Sequence, residues 1–251
     1  MNKLYQKSEI WFAIVCIIFY VVGASICDKI SSIVGLEKSL TFVFLLTISL
    51  ILYFWIKKNG LKQKYGLCAA NYKPKYFMFY LPMFLLVIIN FCFGIDIELN
   101  IVESIFFVLS MICVGFVEEI IFRGFLFKAI EKNNTKLAIT ITSITFGVGH
   151  IINLFMVKGD NFLPTICQVA YATAVGFLFV IMFYKGGSLI PCIVTHSLVN
   201  ATSLVCNNLS RSEIIISSLI IIFISISYSL ILIKTLKRAS GDNAMSDDNN
   251  Q

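Results

Sequence analysis

The chain has 251 residues, 58% of them hydrophobic and 14% charged, with a formal net charge of +6 and a mean hydropathy of +0.88. Soluble globular domains carry about 25% charged residues, so this composition excludes that class. The basic residues sit in short stretches between apolar blocks, which is a membrane-orientation signal, so a nucleic-acid partner is excluded as well.

Eight apolar blocks follow in order, at about 9–27, 39–56, 76–93, 101–122, 137–155, 164–184, 188–207 and 213–233. Segments of about 17 to 25 apolar residues cross roughly 30 Å of hydrocarbon as helices. The predicted fold class is therefore all-α, a polytopic transmembrane helical bundle of about eight spans. The first block follows Lys3 and Lys7 but is long for a signal-peptide core. Large Ile26 stands before Cys27, a poor cleavage site, so this block is expected to be retained as a helix. The fourth block is expected to continue as a helix to about residue 131. Pro164 opens the sixth block, where a missing N–H is harmless; Pro82 and Pro191 lie within blocks three and seven and are candidate kinks. Residues 1–238 form one transmembrane domain, and the polar tail 239–251 is expected to be disordered.

Sixteen Lys and Arg residues fall on one side of this arrangement and four on the other, Lys29, Lys38, Lys158 and Arg211. The richer side is the cytoplasmic one. The expectation is an integral protein of the plasma membrane with both termini in the cytoplasm. The eight cysteines lie mostly within apolar blocks and no two are spaced Cys-x-x-Cys, so small buried hydrophobes are expected and no redox pair or zinc ribbon.

Chemistry enters at Glu118-Glu119-Ile120-Ile121-Phe122-Arg123, set in apolar sequence. Two adjacent carboxylates there cost several kcal/mol each unless paired or hydrated. On a helix Glu119 and Arg123 are one turn apart and can pair, while Glu118 points about 100° away. The only two histidines also lie in apolar blocks, His150 in block five and His196 in block seven, with Asn200 one helical turn beyond His196. At about 1.5 Å of rise per residue, Glu118, His150 and His196 all fall in the middle to inner part of the membrane. Two readings of the set stand side by side. In one, Glu118 is a general base for water, His150 orients that water, and Asn200 with His196 donates to an oxyanion. In the other, His150, His196 and Glu118 hold a divalent metal such as zinc that polarises the water; if Glu118 is instead the base, only the two histidines remain as ligands, with Glu119 engaged by Arg123. The bland alternatives are a solvated helix end at the acidic pair and interhelical hydrogen bonding by the histidines.

The series Glu118-Glu119-x-x-x-Arg123, Phe146-x-x-x-His150 and His196-x-x-x-Asn200 resembles the motif set of the CAAX protease and bacteriocin-processing (CPBP, or Abi) family of intramembrane endopeptidases, type II CAAX prenyl endopeptidases among them. The lead-in Gly186-Gly187-Ser188-Leu189-Ile190-Pro191 and the run Gln168-Val169-Ala170-Tyr171 are similar too, and the resemblance covers about residues 101–205. It implies that Glu118 activates water assisted by His150, that Glu119 and Arg123 are a supporting pair, and that His196 and Asn200 stabilise the oxyanion. It leaves both a metal and a metal-free mechanism open. The implied partners are the lipid bilayer and a membrane-associated peptide or prenylated protein. The competing functional class is a non-catalytic immunity scaffold or small proton-coupled transporter, for which no repeated half is visible.

Overall fold

The computed structural model describes residues 1–156, 162–206 and 209–238. The expected disordered tail, 239–251, lies outside the described residues. The described chain is helical, with a lone bridge between Asp96 and Cys206 as its only strand-like pairing. After a short N-terminal helix, Asn2–Lys7, eight helices occupy the eight apolar blocks. They are α1 (Glu9–Val34), α2 (Ser39–Lys58), α3 (Leu81–Ile88), α4 (Ile101–Glu118), α5 (Thr135–Gly149), α6 (Phe162–Gly186), α7 (Ile190–Thr202) and α8 (Arg211–Thr235).

Local signals in the sequence set the boundaries. Ser8 caps α1 by accepting from the Trp11 amide at 3.3 Å, and Gly35 ends it in the left-handed conformation, φ +76°, which a residue without Cβ adopts freely. Asn100 and Glu103 form a reciprocal capping box at the start of α4, and Ser210 and Glu213 do the same for α8; each satisfies backbone N–H groups that a helix start leaves open. Asn134 caps α5 by accepting from Leu137 N at 3.0 Å.

Among the described residues, seven helical segments are long and apolar enough to cross a membrane. The seventh block is the exception to the eight full spans expected. α7 has 13 residues, roughly 20 Å of helix against roughly 30 Å of hydrocarbon. Both its ends are tied to inter-helix connections. At its start Leu189 N donates to Gly66 O at 2.8 Å, and Ser188 Oγ donates to Cys68 O at 2.6 Å. At its far end Asn90 Nδ2 donates to Val199 O at 2.7 Å, and Asp96 N donates to Val205 O at 3.0 Å. The connections before α3 and after it reach in to meet the short helix, so it runs from one layer of connections to the other without the length of its neighbours.

The fourth segment runs as one helix from Ile101 to Glu131, as expected. Its coil is not uniform. From Glu119 to Phe127 it widens into a π-helix, and all nine residues of that stretch are buried. Runs of π-helix are uncommon and favour functional sites. The segment forms the axis of the bundle: α1, α5 and α6 pack around its π-helical part, and α2 and α7 pack along α4. The core is continuous around it, through Val117, Ile120, Phe125, Phe127, Phe179 and Phe183. The outer faces are apolar and exposed, for example Phe19, Phe54, Phe155 and Phe223, the reverse of a water-soluble surface and suited to lipid.

At the Lys-rich end a polar knot fastens α1. Glu9 Oε1 accepts from Lys64 Nζ at 2.8 Å and from Lys132 Nζ at 2.7 Å, and Lys64 also donates to the Tyr5 hydroxyl at 2.7 Å. Burial works against the Lys64 ammonium, yet the hydrogen bonds to Glu9 and Tyr5 outweigh it and raise its pKa above the ordinary lysine value.

Candidate active site

The acidic pair lies where α4 passes into the π-helix, and α7 crosses it there. Gly115, one turn before Glu118, makes the crossing possible. A Cβ at that position would stand 2.6 Å from the backbone nitrogen of Ser197, so only glycine lets the helices approach this closely. The residue before Ser197 is His196, and the crossing presses its ring against both carboxylates.

Glu119 and Arg123 are completely buried and form the expected ion pair, Arg123 Nη1 to Glu119 Oε1 at 3.0 Å. The guanidinium lies flat against aromatic faces, 3.9 Å from the Phe146 ring centroid and 5.6 Å from that of Phe179. Such a cation–π contact, in a desolvated place, contributes about 2 kcal/mol. Gly176 leaves the hollow for the guanidinium, since a Cβ there would come within 3.3 Å of Arg123 Nη2.

The sequence reading paired Glu119 with Arg123 alone. The structure adds His196, whose Nδ1 lies 2.8 Å from the same Glu119 Oε1. A carboxylate that pairs with an arginine is ionised and can only accept, so His196 Nδ1 carries the proton and donates it to that bond. In the neutral ring this leaves a lone pair on Nε2, which stands 3.5 Å from Glu118 Oε2. The imidazole thus bridges the two glutamates. Glu118 is 8% exposed; its Oε1 accepts a 2.5 Å hydrogen bond from the hydroxyl of Tyr20 on α1, while Oε2 has no hydrogen-bond partner among the described residues.

Two small cavities flank this core. One, about 140 Å³, is lined by Tyr20, Glu118, Phe122, Phe146, His150 and Asn153, room for several water molecules. The other, about 70 Å³, is lined by Phe146, His150, Gln168, Tyr171, His196 and Asn200 among others. Phe146 and His150 border both. The Phe146 ring is a hub, edge-on to His150 and to His196 with centroids 5.6 Å apart in each case. His150 begins the 3₁₀ turn that ends α5, and its ring forms no hydrogen bond among the described residues. Asn200 lies one turn beyond His196 on α7, and its side-chain amide has no partner among them.

Of the residues expected at the site, Glu118, Glu119, Arg123 and His196 are in direct contact; His150 and Asn200 face the adjoining cavities. Two residues beyond those expected also take part, and Phe146, named in a motif, gains a contact that the motif did not imply. Tyr20 belongs to an apolar block that carries no motif, Gly115 reads as one more small residue in a span, and the stacking of Phe146 on Arg123 depends on tertiary packing. Gly147 packs closely, its would-be Cβ 2.7 Å from Val169 O, whereas Gly149 has nothing within 4 Å. Cys192 is a buried thiol donating to Phe179 O at 3.6 Å. Asn153 donates to Gln168 Oε1 at 2.8 Å, joining α6 to the turn after His150.

The expected metal donors do not fit a metal as placed. Among the described residues no three His, Cys, Asp or Glu side chains converge to hold one, and both nitrogens of His196 face glutamate oxygens.

Fold and site together define a polytopic helical membrane protein with a buried acid–imidazole centre. Residues 100–202 match the family model described as type II CAAX prenyl endopeptidase Rce1-like. That segment holds every motif residue, and over it the chain is similar to the CAAX-protease family that the motifs resemble. No curated protein and no solved structure matches the chain.

Proposed function

We propose that this protein is an intramembrane endopeptidase that hydrolyses a peptide bond of a membrane-associated or lipidated peptide, reached from the cytoplasmic side of the plasma membrane with both termini in the cytoplasm. The observation that carries the reading is Glu118: a buried carboxylate with one oxygen held by Tyr20 and the other unpartnered beside His196, on a cavity with room for water.

Glu118 Oε2 takes a proton from water as the water oxygen adds to the scissile carbonyl. The Nε2 lone pair of His196 accepts a hydrogen bond from the newly protonated Oε2, and Glu119 stabilises any positive charge reaching the ring. Asn200 donates to the developing oxyanion from its free amide. As the tetrahedral intermediate collapses, Glu118 returns the proton to the leaving amine. His150 orients the water from the cavity wall. In this sequence His196 begins as an acceptor, and oxyanion stabilisation rests first on Asn200.

The test is cleavage of a quenched fluorescent peptide ending in a prenylated Cys-aliphatic-aliphatic-X sequence, and of membrane peptides bound by the Glu118→Gln variant in native membranes. Glu118→Gln in purified, reconstituted protein is expected to abolish cleavage of whatever the wild type cuts. Wild-type turnover by Glu118→Gln would refute the assignment.

A further inference from the structure

We infer that Tyr20, delivered by the first helix, is a positioning residue of the hydrolytic centre: it fixes Glu118 by one oxygen so that the other is presented to water. This rests on the proposed function and assigns a role to a part of the chain that lies outside the matched segment, 100–202.

The contact comes from a defined helix register. α1 and the fourth segment run antiparallel, and three contacts lie in step along them. Glu9 meets Lys132 at 2.7 Å, the Phe12 and Phe125 rings meet at 5.0 Å, and Tyr20 meets Glu118 at 2.5 Å. From Glu9 to Tyr20 the helix rises roughly 16 Å, so the polar knot at one end and the phenol in mid-bundle bracket the helix. Between them α1 presents much of its surface outward, with Val15, Ile18 and Phe19 exposed. A slip by one residue would turn Tyr20 about 100° away from the carboxylate.

The phenol itself is matched to its task. Tyr20 is buried, and its hydroxyl has Glu118 as its partner. Its ring forms part of the wall of the 140 Å³ cavity beside His150. With Oε1 so engaged, the carboxylate cannot rotate freely, and the unpartnered Oε2 is held on the His196 side. A phenylalanine would keep the ring and its packing but release this constraint, so chemistry should suffer while binding does not.

The experiment compares the wild type, Tyr20→Phe and Glu118→Gln, reconstituted and assayed on the same prenylated fluorogenic peptide. Infrared difference spectra against Glu118→Gln isolate the Glu118 carboxylate band in the same samples. Loss of a hydrogen bond to a charged group predicts that Tyr20→Phe lowers kcat by about ten- to a hundredfold. KM should stay within about twofold, as for an interaction felt in the chemical step and not in substrate binding. The carboxylate band should shift. For a variant that retains the hydroxyl, difluorotyrosine at position 20 should alter kcat and the band with KM unchanged. A wild-type kcat in Tyr20→Phe while Glu118→Gln is inactive would overturn the role of Tyr20 alone. An active Glu118→Gln would overturn the base assignment and Tyr20 with it. An unmoved band would show that the phenol does not hold the carboxylate, whatever the peptide result.

Discussion

The crossing of α4 and α7 at Gly115 offers a sharp test of how closely activity depends on packing. In Gly115→Ala the new Cβ would lie 2.2 Å from Ser197 Oγ, 2.6 Å from Ser197 N and 2.9 Å from Ser197 Cα. The hydroxyl can rotate away, at the cost of its 3.1 Å bond to Ile112 O. The backbone atoms cannot, and relief to ordinary contact needs roughly 0.8 Å of helix separation, the scale at which overpacking costs about 1–3 kcal/mol. That displacement falls on the neighbour of His196, whose contacts to Glu119 and Glu118 are 2.8 and 3.5 Å. A misplacement near 1 Å can lower a rate about a hundredfold, so kcat/KM should fall by about two orders of magnitude while the protein still inserts. Gly149→Ala is the control, for nothing lies within 4 Å of its added Cβ, and the crossing should be unaffected. The assay is peptide cleavage by both variants in liposomes, alongside thermal denaturation in detergent. Activity of Gly115→Ala within about threefold of wild type would refute the idea that this helix approach sets the geometry.

Two further outcomes follow from the same centre. Arg123→Ala should destabilise the protein by about 3–5 kcal/mol, because removing one partner strands Glu119 in the interior; a detergent melting curve close to that of the wild type would contradict this. Cleavage should survive exhaustive treatment with a divalent-metal chelator, since both nitrogens of His196 face glutamates; activity lost on chelation and restored by zinc would overturn that reading.

Most of the fold was legible because hydrocarbon imposes a simple rule: a spanning segment must satisfy its own backbone, so long apolar blocks become helices. All eight blocks are helical, and the extension of the fourth to residue 131 agrees with the 31-residue segment observed. Block seven misled by length. Its apolar run extends beyond the α7 helix, and the bonds of Ser188 and Leu189 to the connection at 66–68 and of Val205 to Asp96 are tertiary facts that hydropathy does not encode. The site was half legible. Carboxylates and imidazoles stand out against apolar sequence because each costs energy there, and so Glu118, Glu119, Arg123, His150, His196 and Asn200 were visible. The Glu119–His196 bond was not, because it depends on how deeply α7 crosses α4. Tyr20 was hidden for another reason: a tyrosine in a membrane block is ordinary, and only its partner 98 residues away distinguishes it.

The cost of charge in hydrocarbon explains why the centre has two glutamates and not one. An isolated buried carboxylate would be expensive to keep ionised, whereas Glu119 is paired through Oε1 with Arg123, whose guanidinium is further stabilised over the faces of Phe146 and Phe179. That pair is inert as chemistry, yet it holds His196 by Nδ1 and so determines what Nε2 presents to Glu118. Glu118 is left with the Tyr20 phenol and the His196 imidazole beside it and, among the described residues, no lysine or arginine bonded to it. Among those residues Oε2 is unpartnered in both glutamates, but of the two only Glu118 lines the 140 Å³ cavity. In the proposed mechanism the adjacent acids thus divide the work by their neighbours: the one next to arginine holds the imidazole, and the one next to tyrosine, on the cavity, serves as the base.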